Sequence, residues 1–125
     1  MTHIRLHHVS LLVSDTTRAL GFWHELLGLE VDPKRPDLGY PGAWLGLDGG
    51  QQIHLLELPN PCAQATRPEH GGRDAHVALQ VKDFEAMRLR LQEAGIPFTS
   101  SRTGRQALFV RDPDGNAVEL IGQSA

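Results

Sequence analysis

Apolar and polar residues alternate over residues 8–13, with Val9, Leu11 and Val13 on one side and His8, Ser10 and Leu12 on the other. A period of two over partly β-branched positions predicts a strand. The period then lengthens. Ala19, Phe22, Trp23, Leu26 and Leu27 recur at helical spacing behind Asp15, whose carboxylate suits an N-cap, and Gly28 supplies the stop. Strand-like runs follow at residues 29–31, 43–47 and 52–58, the last two joined through the turn Asp48-Gly49-Gly50. The predicted unit is β-α-β-β-β.

The same unit occurs again. His8-Val9-Ser10-Leu11-Leu12-Val13-Ser14-Asp15 matches His76-Val77-Ala78-Leu79-Gln80-Val81-Lys82-Asp83 at five of eight positions. Behind Asp83, the residues Phe84, Met87, Leu91 and Ala94 form a helical stripe that ends at Gly95-Ile96-Pro97. Runs at 98–102, 107–111 and 117–121 complete the copy, and Asp112-Pro113-Asp114-Gly115-Asn116 is a strong turn signal. Residues 50–55 align with 115–120, so only a few residues of insertion separate the halves. The fold class is therefore α+β. One domain is expected over 1–125, built from module 1 (about 4–58), a Pro- and Gly-rich linker (about 59–74) and module 2 (about 75–123).

Alternate residues of a strand share a face, so the polar residues of matched strands converge. Val9, Leu11, Val13, Ile53 and Leu55 make the apolar side of module 1, and Val77, Leu79, Val81, Val118 and Leu120 that of module 2. This leaves His8 and His54 on the other side of the first module, and His76 and Glu119 on the other side of the second. The repeat maps His8 onto His76 and His54 onto Glu119. Three imidazoles and one carboxylate suit a divalent cation (Ni, Zn, Fe, Mn or Co), with octahedral positions left over for two substrate oxygens.

Each residue also has a plainer reading: a hydrogen-bonded structural histidine for His8 and His76, exposure for His54, an ion pair with an arginine for Glu119. Parity points His7 away from His8, and Glu57 away from His54 unless a bulge reverses the choice. His3, His24 and His70 have no repeat mate and are expected at the surface. Arg67, His70 and Arg73 cluster in the linker, as a solvated loop or an anion contact.

Composition narrows the partners. Twelve Lys+Arg and fifteen Asp+Glu leave a net charge of −3, which lacks the basic footprint of a nucleic-acid binder. No run approaches the roughly 18 apolar residues of a membrane span. Residues 1–5 lack the apolar core of a secretory leader, so a cytoplasmic location is expected. The single cysteine, Cys62, excludes intrachain disulfides and cysteine-rich zinc sites.

Five segments together carry a resemblance: His8 with Val13-Ser14-Asp15; Phe22-Trp23 through Leu27-Gly28-Leu29; Ile53-His54-Leu55; His76-Val77-Ala78-Leu79; and Asp112-Pro113-Asp114-Gly115-Asn116 leading to Glu119-Leu120. They resemble the vicinal-oxygen-chelate superfamily, the glyoxalase I, bleomycin-resistance and extradiol-dioxygenase group, over nearly the whole chain. The resemblance implies two tandem βαβββ modules forming a cupped, partly closed mixed sheet with helices outside, around one divalent metal. It implies a homodimer with sites at the subunit interface, His8 and His54 of one chain acting with His76 and Glu119 of the other. The implied activity is that of a glyoxalase-like lyase or isomerase, moving a proton beside the metal-chelated vicinal oxygens of a small substrate, with Glu119 as base.

Members differ in their ligands. Bacterial glyoxalase I typically carries Glu where this chain has His54, a departure from the ordinary lactoylglutathione lyase pattern. Fosfomycin-thiol transferases use His, His and Glu, matching His8, His76 and Glu119, with a hydroxyl where Ser10 lies. Extradiol dioxygenases share the two-His, one-Glu set. Bleomycin-resistance proteins bind a small molecule and generally lack the ligands.

Overall fold

The two alternating segments become His8–Val13 (β1) and His76–Val81 (β5), each followed by a helix with an aspartate cap. Asp15 accepts from Arg18 N at 3.1 Å at the start of Thr16–Leu20 (α1). Asp83 accepts from Ala86 N at 3.1 Å at the start of Phe84–Glu93 (α2). Both caps satisfy backbone N–H groups that have no partner inside the helix. Gly28 and Gly95 follow with φ of 86° and 71°, the left-handed conformation that favours glycine after a helix. The other strands are Glu30–Val31 (β2), Gly42–Gly46 (β3) and Gln52–Glu57 (β4), then Phe98–Ser100 (β6), Ala107–Arg111 (β7) and Ala117–Gly122 (β8). The computed structural model describes residues 2–123; Met1, Ser124 and Ala125, inside the 1–125 span expected for the domain, lie outside the described residues.

Two compact units divide the chain, Met1–Pro61 and Cys62–Ala125. Strand order is β1-β4-β3-β2 in the first and β5-β8-β7-β6 in the second. In each, the first strand runs parallel to the last and the other neighbours are antiparallel, giving two mixed four-stranded sheets in an α+β fold.

The first helix departs from the regular α-helix expected. After α1 the chain widens into a π-helical segment, Gly21–Leu26, and Leu27 N bonds Phe22 O at 2.9 Å. The smaller turn angle per residue lets adjacent Phe22 and Trp23 both enter the core, edge to face with centroids 5.2 Å apart. Trp23, Leu45, Ile53 and Leu55 are buried there. Leu91, Leu108, Val110, Val118 and Leu120 form the second core, again from alternate strand positions under a helix. A Cβ on Gly42 would overlap the Leu55 carbonyl oxygen, so the close pairing of β3 with β4 requires glycine at that point.

The predicted turn between β7 and β8 is built around Asp112. Its Oδ1 accepts from Asp114 N and Asn116 N, and its Oδ2 from Asn116 Nδ2, each at 2.9 Å. This Asx-type turn sets the register in which Glu119 enters β8.

Candidate functional site

Across the first sheet, Ser10, His54 and Trp44 are register neighbours, and Asp32 N bonds Trp44 O at 2.8 Å beyond them. His8 lies on the same face, diagonal to His54. Their rings stack with centroids 4.0 Å apart, and Trp44 stacks on His54 at 4.6 Å, so the His54 ring sits between the two. His54 Nε2 donates to Gln52 Oε1 at 2.8 Å, and Gln52 Nε2 donates to Asp32 Oδ2 at 2.9 Å. The Lys34 N–H and then the Gln52 amide hold Asp32 below the usual carboxylate range. Burial, followed by the charges of His8, His7 and Arg35, pushes the His54 pKa down. The ring is therefore neutral near pH 7, the form in which imidazole ligates a metal.

Two parity expectations resolve differently. The β1–β4 ladder is continuous from His8–Gln52 to Val13–Glu57, so no bulge turns Glu57 toward His54. Glu57 instead accepts from Thr16 N at 2.8 Å, where a carboxylate meets the positive end of the helix. His7 corrects the reading that it points away from His8. It precedes β1, so strand parity does not govern it, and its Nδ1 lies 2.8 Å from His8 Nδ1.

The second sheet carries the matching row Ala78, Glu119, Phe109 and Thr99. His76 Nε2 lies 3.3 Å from Glu119 Oε1. His76 Nδ1 donates to Asp74 O at 2.8 Å, which fixes the tautomer and leaves the Nε2 lone pair on the carboxylate side. Glu119 is buried, and its Oε2 accepts from the half-exposed Arg105 at 2.7 Å, so the ion pair with an arginine exists beside the histidine contact. Nitrogen and oxygen donors about 2.0–2.2 Å from one ion stand roughly 3 Å apart, and the 3.3 Å pair meets that spacing. This pair fits a divalent cation. Among the described residues, no group of three or more His, Cys, Asp or Glu side chains gathers within ligating reach. The candidate ligands come as two pairs, one in each unit.

Asp74 also anchors the end of the segment expected as linker. It pairs with Arg111 at 2.9 Å and Arg67 at 3.3 Å, while Arg111 also donates to Pro68 O and Gly115 O. Arg67 and Arg111 thus share one carboxylate oxygen, Asp74 Oδ2. The Arg111 hydrogen bond, foremost, holds the Asp74 carboxyl below its usual range, against the opposing effect of burial. A carboxylate depressed on folding stabilises the fold above its unfolded pKa, near 3.9, and loses that effect as pH falls through the folded value. Asp74→Asn is expected to lower Tm by roughly 3 °C at pH 7 and by progressively less below about pH 4, as read from melts across pH.

A family model for the Glyoxalase/Bleomycin resistance protein/Dioxygenase superfamily matches residues 5–120. The chain belongs to this superfamily. It is 31% identical over 121 residues to "Glyoxylase I 4" of Arabidopsis thaliana, covering 92% of this chain and 68% of that protein. It is 31% identical over 118 residues to "Glutathione transferase FosA" of Serratia marcescens, covering 92% and 78%. Among solved structures, a glyoxalase-family protein of Bacillus anthracis superimposes with a TM-score of 0.78 at 25% identity, covering 99% of both chains. Superfamily members are commonly enzymes, generally use a divalent metal, and are typically small-molecule binding and dimeric. No helix among the described residues is long and apolar enough to cross a membrane.

Several site residues escape the sequence reading. Trp44 and Phe109 occupy equivalent places beside His54 and Glu119, and the repeat that pairs those two would also have paired the aromatics. Arg105 lies in a turn whose direction no periodicity declares. His70, expected at the surface, is half-buried, with Nδ1 2.6 Å from Thr99 Oγ1 and its ring edge-on to Phe109.

Proposed function

We propose that this chain is a divalent-metal-dependent, glyoxalase-like lyase or isomerase that moves a proton between adjacent carbons of a small substrate bearing vicinal oxygens. His8, His54, His76 and Glu119 ligate one Ni, Zn, Fe, Mn or Co ion, two residues from each module of a single domain. In the homodimer, the first-module pair of one chain acts with the second-module pair of the other. The observation that carries this reading is the second-module pair. A histidine whose tautomer is fixed from behind presents Nε2 to a buried carboxylate 3.3 Å away, and the repeat supplies a second pair of donors.

The metal supplies Lewis acidity at the two substrate oxygens, which acidifies the C–H beside them. The remaining work falls to side chains. Glu119 Oε1, released from its ligand role, takes the proton from the hydroxyl-bearing carbon and returns it to the neighbouring carbon. It is buried, and Arg105 orients the carboxylate through Oε2. Elemental analysis of untagged protein tests the site. About one metal ion per chain is expected in the wild type, and its loss in His76→Ala. A chain that holds no metal even after titration overturns the reading.

One observation favours a second reading. His54 already commits Nε2 to Gln52 and lies between two rings. If it stays so, His8, His76 and Glu119 make a three-ligand set, as in a thiol transferase, with the Ser10 hydroxyl beside His54 in register. His54→Ala separates the readings: loss of metal supports four ligands, and retention supports three.

A further inference from the structure

His70 has no counterpart in the first module, yet it is seated with care. Thr99, Phe109 and Glu119 are register neighbours across β6, β7 and β8, so their side chains share one face of the sheet. The His70 ring is fixed on that face by Thr99 Oγ1 at 2.6 Å, and it meets Phe109 edge to face with centroids 4.8 Å apart. The His76 ring meets the same Phe109 at 5.3 Å. Two glycines make the seat. A Cβ on Gly71 would press on Ala117 and Phe109 at 3.3 Å, and a Cβ on Gly72 would come within 2.8 Å of His70 Nε2. Glycine at both positions lets the segment lie close against β7 and β8 and leaves the imidazole its place without displacement.

With Nδ1 held by a hydroxyl that either donates or accepts, Nε2 is left to act, and the hydroxyl lets the ring change tautomer without leaving its seat. This matters because the proposed reaction moves two protons. Converting a 2-hydroxycarbonyl group to its isomer breaks C1–H and forms C2–H, which Glu119 accomplishes. It also breaks O1–H and forms O2–H as the carbonyl changes carbon, and a second base on the same face can carry that proton while the carboxylate holds the carbon-borne one.

We infer that His70 is a further catalytic residue of this site: its Nε2 accepts the proton of the first substrate oxygen and delivers it to the second. The ring begins and ends neutral, no electrons leave the substrate, and both protons are accounted for. The inference rests on the function proposed above.

The test uses the full chain, zinc-loaded and ¹⁵N-labelled at histidine, titrated with acetohydroxamate as a probe carrying two adjacent oxygens. His70 is assigned with His70→Gln. Zinc is expected to shift the His76 ring signals. The hydroxamate is then expected to shift His70 Nε2 with the same saturation curve as His76, and Thr99→Val to weaken the His70 response while leaving that of His76. A hydroxamate that moves His76 and leaves His70 unmoved overturns the inference and spares the proposed function. Zinc that fails to move His76 overturns both. Should His70→Gln misfold, Gly72→Ala, which crowds Nε2 directly, replaces it for assignment.

Discussion

Glu119→Gln is expected to reduce catalysed proton transfer by roughly 10²- to 10⁴-fold while leaving the fold intact. The substitution keeps the side chain's volume in a strand whose neighbours Val118 and Leu120 are fully packed, so the second core is undisturbed. What is lost is the carboxylate that faces His76 and accepts from Arg105. Arg105 is half-exposed and regains water when its partner is neutralised, so the stability change stays within about 1 kcal/mol. Deuterium incorporation from D₂O at the carbon of 2-hydroxycarbonyl compounds reads the step directly by NMR. Exchange at the wild-type rate in the variant would remove Glu119 as the base.

Trp23→Ala carries the largest stability effect, a loss of about 3–5 kcal/mol. Trp23 is fully buried, edge to face with Phe22, and the π-helical segment exists in a form that delivers both rings inward. Phe22, Leu45, Ile53 and Leu55 are buried in the same core, so removing the indole leaves a void that water does not fill. Urea unfolding with unchanged m and a lower midpoint is the expected signature. Trp44→Ala serves as the control, since Trp44 is only half-buried and stacks on His54 rather than filling the core. A midpoint in Trp23→Ala no lower than in Trp44→Ala would show that the π-helical segment does not anchor the core.

The repeat and the parity of β1, β4, β5 and β8 were legible because two physical signals coincide in them. Strand alternation sorts residues by face, and duplication sorts them by position. Where both apply, His8, His54, His76 and Glu119 fall on the faces expected. The misreadings fall where one or both signals are missing. His7 has strand neighbours but lies before the ladder begins, and so turns back on His8. The π-helical turn keeps the apolar spacing of an ordinary helix, and its i+5 bonding leaves no separate mark in the sequence. His70 has neither alternation nor a repeat mate; its seat depends on Thr99 from one strand, Phe109 from another and two glycines of its own segment. Such a seat is a meeting of distant residues, and no local pattern encodes it.

The parallel ladder between the first and last strand of each module has a consequence for the order of events in the cell. His8 reaches His54, and His76 reaches Glu119, only when the two ends of a module have met across its helix and two intervening strands. Such long-range pairings close late, because the loop entropy is lost before any contact compensates it. On the proposed metal role, a nascent or half-folded chain would not yet hold either of these two pairs. Metal would then be bound by finished modules, so its supply would select among folded molecules and would not steer the folding itself.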